Sequence, residues 1–218
     1  MIKFKSIFAI FCHPDDVELS CFATLLKYKK LNCKIYILFL SKGTESFKSK
    51  NIDRTIFSKN ALKNITKNVF FENFSDGKIS YNNDLISTID NYISKFKPEC
   101  IVTHYTNLDG SSTHQDHHSC RLAVTNSARR SNDCKFLMYA EPEYNIKEFI
   151  PNFYVDVNSE FADKLKSLLN HKFENQKYYF SKDYVSLRAK WWYMQSGQFT
   201  RFNKYRYYEA FQIVFIRN

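Results

Sequence analysis

Apolar runs and runs of helical period alternate along the first two thirds of the chain. Residues 6–12 (Ser-Ile-Phe-Ala-Ile-Phe-Cys) are almost unbroken in apolarity, the pattern of a strand covered on both faces. Residues 16–30 place Leu19, Phe22, Ala23, Leu26 and Lys30 at helical spacing, which predicts one helix. Residues 35–40 are a second buried strand. Asp53 is placed to cap a helix running to about residue 65, and residues 68–71 make a short strand. Ser75-Asp76-Gly77 is a turn by its residue types. A helix over 85–96, capped by Asn83 or Asp84, carries Ile86, Ile89 and Ile93 on one face, and Pro98 ends it. Residues 100–103 are a strand with His104 at its end. Thr113 is a candidate cap for a helix over 114–130, which turns Cys120, Leu122, Ala123 and Val124 inward and leaves Arg121 to solvent. Residues 136–139 are strand-like.

This alternation is that of a doubly wound sheet. The expected class is α/β, a Rossmann-like three-layer α/β/α arrangement with a mostly parallel sheet, in one domain over residues 1–218. The last third changes character. Residues 152–157 and 211–216 read as strands, 159–170 as a helix and 183–195 as a helix rich in aromatics. Trp191, Trp192, Tyr193, Tyr205, Tyr207 and Tyr208 either belong to the core or stack on a sugar or base at a pocket rim.

Composition narrows the picture. A chain of 218 residues is long enough for one sizeable core. Its six cysteines form no C-x-x-C pair, and most fall in predicted core segments, so reduced buried thiols are expected. The apolar run near the N-terminus leads straight into a polar motif without a cleavage site, and no stretch is long and apolar enough to span a membrane. A cytoplasmic protein is expected, with no stable membrane insertion. The net charge of +10 reads either as a lysine-rich solvated surface or as attraction to an anionic substrate such as a sugar nucleotide, phosphosugar or lipid phosphate. Lys and Arg are scattered and no nucleic-acid motif is present, so no nucleic-acid partner is expected.

The candidate chemistry sits at two strand ends. His13-Pro14-Asp15-Asp16 follows the first strand, where open α/β sheets bind ligands. His114-Gln115-Asp116-His117-His118 opens a later helix. Zinc accepts imidazole nitrogen and carboxylate oxygen and needs an open position for water. His13 and Asp16, like His114 and His117, stand three apart and so face the same way on a helix. Alone, the first box also reads as a capped turn, with Pro and acidic residues favouring a helix start. Together, the two boxes supply more ligands than one metal requires, and the surplus suits a general base and a transition-state stabiliser. Gly43, in the loop Ser41-Lys42-Gly43-Thr44-Glu45, marks a tight turn or the close approach of a ligand.

With these boxes the chain resembles the PIG-L/LmbE-like family of zinc-dependent N-deacetylases. The H-P-D-D box and the H-x-D-H box (His114-Gln115-Asp116-His117) carry the likeness, and Glu141-Pro142, the segment 151–156, His171-Lys172 and Glu209-Ala210-Phe211 extend it toward the C-terminus. The resemblance implies Zn2+ held by His13, Asp16 and His117, with Asp15 as general base and His114 stabilising the oxyanion. Asp116 would orient a neighbouring histidine. Arg54 and Asp76 match positions near the sugar pocket, and His104 is either a pocket residue or a partner of the second box. The implied substrate is a small N-acetyl amino sugar or an anionic nucleotide, phosphate or lipid conjugate. Rival readings are hydrolysis of another amide (N-formyl or a thiol-sugar conjugate) and a non-catalytic metal or nucleic-acid binding module. The chain departs from the family at Cys21-Phe22-Ala23, where paired glycines are common, and at Phe57, where an acidic residue is usual. The loop before His114 is long, which leaves the match of Asp109 to the Asp that often precedes the second box open.

Overall fold

The computed structural model describes residues 2–45, 51–107, 114–144, 148–198 and 206–217. The strands are β1 (Ser6–Phe11), β2 (Lys34–Phe39), β3 (Val69–Phe71), β4 (Cys100–His104), β5 (Phe136–Ala140), β6 (Phe153–Asp156) and β7 (Tyr208–Ile216). They form one sheet in the order β3-β2-β1-β4-β5-β7-β6. The first five run parallel, and β7 lies antiparallel to both β5 and β6. The chain leaves β1 toward β2 and β3, then returns to β1's other side as β4. The order therefore reverses between β1 and β4, which opens a crevice at their C-terminal ends.

Alternate residues of each central strand fill opposite cores. Ile7, Ala9 and Phe11 join Phe39, Val102, Phe22, Leu25 and Tyr28 on one face. Phe8, Ile10 and Cys12 join Leu38, Ile101, Leu137 and the helical residues Leu85, Ile89, Ile93, Cys120 and Val124 on the other. Burial on both faces is why the strands lack polar alternation. The helices are α1 (Asp16–Ser20), α2 (Phe22–Lys30), α3 (Thr55–Leu62), α4 (Asn83–Phe96), α5 (Gln115–Arg130), α6 (Phe161–Leu168) and α7 (Lys182–Gln195). Trp192, Tyr193 and Tyr208 pack with Phe149 and Ala210 where α7 covers β7. All six cysteines are free and buried. Among the described residues no helix is long and apolar enough to cross a membrane.

Several local expectations change, among them the start of α3, where Arg54 rather than Asp53 holds the N-cap position while Asp53 Oδ1 accepts the Thr55 N–H at 2.9 Å. The helix expected over 16–30 is two, broken at Cys21, whose backbone is at φ −140°, ψ 14°. Glu209, on the distant β7, accepts the N–H groups of Ala23 (3.2 Å) and Thr24 (2.7 Å) and so caps α2 from outside. The cap of α4 is Asn82, whose side chain accepts the Leu85 N–H at 3.0 Å. His114 is the N-cap of α5 rather than its first helical residue. Arg121 is buried rather than solvated, with its guanidinium carbon 5.5 Å from the centre of the Tyr139 ring. Thr113, Asp109 and Tyr205 lie outside the described residues.

Candidate metal and catalytic site

β1 ends at Phe11 and delivers His13 to the crevice. Asp15 then adopts φ 138°, ψ −24°, outside the regions open to L-residues without strain. Such a conformation costs ~1–3 kcal/mol and persists only where its surroundings enforce it. Its effect is to send consecutive carboxylates in different directions. Asp16, the first residue of α1, faces imidazoles: its Oδ2 accepts the His13 backbone N–H at 2.6 Å, and its Oδ1 lies 3.4 Å from His117 Nε2. Asp15 faces Arg54, with Oδ2 accepting from Nη1 at 3.0 Å.

Three side chains converge from the two boxes, Asp16 meeting each imidazole with a different oxygen. His13 Nδ1 is 3.2 Å from His117 Nε2 and 3.6 Å from Asp16 Oδ2. A tetrahedral zinc with ~2.0–2.1 Å bonds separates its ligands by roughly 3.3–3.4 Å. The other nitrogen of His13, Nε2, lies 3.0 Å from both Asp76 Oδ1 and Asp116 Oδ2, so in the neutral ring the proton belongs there and the Nδ1 lone pair faces inward. Two imidazole nitrogens directed at each other beside a carboxylate fit a shared cation. Overlapping sets that bring in His114, His104, Asp76 or Asp116 also cluster within metal-ligating reach.

Electrostatics follow from burial and these neighbours. Burial alone would lower the pKa of His13, but Asp116, Asp76 and Asp16 outweigh it and hold the value well above the usual one. His117 is raised against its burial by Asp16 and Glu143. Asp16 is lowered despite its burial by His117, His104 and His13. Asp15 is pushed up to about 6, chiefly by burial, with Arg54 opposing and Asp16 adding. His114 is lowered by burial and by the neighbouring imidazoles. Its Nδ1 accepts the Asp116 N–H at 3.2 Å, so a neutral His114 carries its proton on Nε2.

Asp116 is fully buried and accepts from the N–H groups of Gly77 (2.7 Å) and Ile79 (3.0 Å) as well as facing His13. The turn at Ser75-Asp76-Gly77 is thereby tied to α5, which brings Asp76 to His13. Asp76 Oδ2 also accepts the Glu45 N–H at 3.0 Å. Arg54 is buried, and besides Asp15 it donates from Nε to the Gly43 carbonyl at 2.7 Å and lies 3.5 Å from Glu174. Gly43 sits at φ +69°, and a Cβ there would collide with the Arg54 guanidinium; the close approach is that of this side chain. His104 does not line the pocket. It stacks on His117 (centroids 3.8 Å apart, 12° between planes) and accepts the Cys12 N–H at 3.1 Å. Burial first, then His117, lowers its pKa well below the usual value, so it stands as a neutral ring behind His117.

The pocket above the site has a volume of about 310 Å³. His13, Asp15, Asp16, His114 and His117 form its floor, with Arg54 and Asp76 beside them. Its walls include residues that local sequence signals did not single out: Glu45, Glu143, Tyr144, Lys177 and Tyr179. None of the described C-terminal aromatics singled out from sequence lines it; Tyr207, for example, stacks on Phe161 at 3.8 Å.

Comparison with known proteins gives the family and the fold. Residues 8–128, more than half of the chain, match the family model described as PIG-L, GlcNAc-PI de-N-acetylase. The chain is 30% identical over 174 residues to the uncharacterized deacetylase YaiS of Escherichia coli (strain K12), covering 78% of this chain and 92% of that protein. The fold matches N,N'-diacetylchitobiose deacetylase from Pyrococcus horikoshii at TM-score 0.77 and 17% identity, over 97% of this chain and 84% of that one. It also matches GalB, the 4-carboxy-2-hydroxymuconate hydratase of Pseudomonas putida KT2440, at TM-score 0.81 and 16% identity, over 98% of each chain. The two boxes, the switch-point crevice and the family match agree: the chain belongs to the PIG-L family of de-N-acetylases.

Proposed function

We propose that this deacetylase removes the N-acetyl group of an amino sugar or of its conjugate, using one zinc ion held by His13, Asp16 and His117. The observation that carries the reading is the convergence of His13 Nδ1, Asp16 and His117 Nε2 within 3.2–3.6 Å, on the floor of a pocket that also holds Asp15 and His114. Bound zinc would polarise the acyl carbonyl and acidify a water. Asp15 takes the proton of the attacking water, held in place by Arg54, and returns it to the departing amine. His114 donates its Nε2–H to the oxyanion that develops on the carbonyl oxygen. Asp76 and Asp116 keep His13 in the tautomer that presents Nδ1.

The overall charge of +10 is not expressed in the pocket. Its described lining carries Asp15, Asp16, Glu45, Asp76 and Glu143 against Arg54 and Lys177, and both cations already face Glu174. The sugar would be held through its hydroxyls by Glu45, and an anionic carrier would meet Lys177.

The fold alone does not choose the reaction, since a hydratase shares it; both chemistries activate water. Zinc-loaded protein incubated with a panel of N-acetylated amino sugars and sugar conjugates, analysed by mass spectrometry, should show loss of acetyl from at least one member. Asp15→Asn should abolish that loss. Undiminished turnover by Asp15→Asn would remove Asp15 from the role of base.

A further inference from the structure

We infer that Glu143, held by a clamp from Arg188, is the positioning carboxylate of the metal ligand His117. The inference rests on the metal centre proposed above and extends it to a residue on a different stretch of the chain.

The three ligands are not supported from the same elements. His13 is backed by Asp76 and Asp116, each 3.0 Å from its outward nitrogen. Asp16 is fixed by the His13 N–H at 2.6 Å. His117 points Nε2 at the centre, so its Nδ1 faces away, and the carboxylate it faces is Glu143, with Oε1 at 3.8 Å. A histidine that gives one nitrogen to a metal must carry its proton on the other, and an outer carboxylate fixes that tautomer and the ring's orientation.

Glu143 lies beyond the end of β5, in a segment with no ladder to hold it. Arg188, buried on α7, holds it instead. Its Nε donates to Glu141 Oε1 at 2.7 Å, its Nη1 to the Glu143 carbonyl at 2.6 Å, and its Nη2 to the Pro142 carbonyl. Tyr184, one helical turn earlier, lies 5.5 Å from the guanidinium carbon and donates its hydroxyl to the same Glu143 carbonyl at 3.3 Å. One rigid fork therefore grips three successive residues, a geometry that lysine with its single ammonium cannot reproduce. The side chain that this grip sets in place is on the pocket wall beside the metal ligand.

The test is zinc affinity of the full chain, measured by competition with a chromogenic chelator, for wild type, Glu143→Ala, Glu143→Gln, Arg188→Lys, Arg188→Met and the Glu143→Ala/Arg188→Met double variant. Circular dichroism selects the folded proteins. Glu143→Ala should weaken zinc binding by ~10–100-fold, the usual loss on removing an outer partner of a ligand. Glu143→Gln, which keeps an acceptor, should lose less. Arg188→Met should approach the Glu143→Ala loss, and the double variant should be no weaker than Glu143→Ala, because both act through one contact. If Arg188→Met does not fold, Arg188→Lys with an intermediate loss serves in its place. Wild-type affinity in Glu143→Ala, or losses that multiply in the double variant, would overturn the inference. Wild-type protein that bound no zinc would overturn it together with the metal centre, whereas an error in the assumed sugar would leave every reading here unchanged.

Discussion

Arg54 separates two accounts of the pocket. The sequence places it near the substrate; the structure engages its guanidinium with Asp15, Glu174 and the Gly43 carbonyl. In Arg54→Met the apolar stem stays and the charge goes. At 3.0 Å and an effective dielectric of about 20, the Asp15 pair alone represents ~5–6 kcal/mol of direct attraction. Desolvation of the buried guanidinium offsets some of this, so the expected net loss is that of breaking a buried pair, ~3–5 kcal/mol. For a chain of this size that corresponds to a fall in Tm of roughly 6–20 °C. The kinetic signature is sharper. If Arg54 acts by holding Asp15, Arg54→Met lowers kcat and leaves KM nearly unchanged; a residue that binds sugar would raise KM. Arg54→Lys keeps the charge without the fork and should fall between. Thermal melts and steady-state kinetics on the three proteins decide it. An Arg54→Met enzyme as stable as wild type, or one whose whole defect lies in KM, would refute the assignment.

Other outcomes follow from the same contacts. Gly43→Ala should cost at least ~1–2 kcal/mol from the left-handed backbone alone, and more from the clash with Arg54, read by urea unfolding; an unchanged midpoint would contradict the close approach. Glu209→Ala strands buried Lys164, 2.6 Å away, and uncaps α2, so a loss of ~3–5 kcal/mol is expected. Glu209→Gln should recover some of it. The imidazole of His171, buried and 2.9 Å from Glu18, has its pKa lowered by burial but raised overall by Glu18. A raised folded pKa means that this contribution is complete below the unfolded value of ~6.5 and lost as pH rises through the folded one. His171→Asn should therefore flatten the decline of stability on the alkaline side of that value; equal slopes in the two proteins would count against the pair.

The elements that local pattern foretold are those whose burial is set by their own residues. The unbroken apolar runs became β1, β2, β4 and β5, and both boxes landed at the switch point. What pattern missed depends on distant partners. The N–H groups freed by the break at Cys21 are taken up by Glu209, on a strand distant in sequence. Arg121 is polar by type yet buried against Tyr139, a contact that exists only once α5 packs on β5. In the candidate site, residue type and short spacing singled out the two boxes, and the structure brings their His13, Asp16, Asp116 and His117 together; the roles proposed for them come from the family resemblance. Glu45, Glu143, Tyr144, Lys177 and Tyr179 reach the pocket from separate loops, and no spacing links them. The signal that could have found Glu143 was its place beside Glu141-Pro142, just after a predicted strand and so at the same sheet edge as the boxes.

The most direct test of the metal-dependent deacetylase is acetate release by one preparation before and after its metal is removed and restored. Stripped protein should be inactive on an N-acetyl amino sugar conjugate that the untreated protein hydrolyses, and about one equivalent of zinc should restore the rate in wild type but not in His13→Ala. Full activity in the stripped protein, or zinc-restored activity in His13→Ala equal to wild type, would contradict the account.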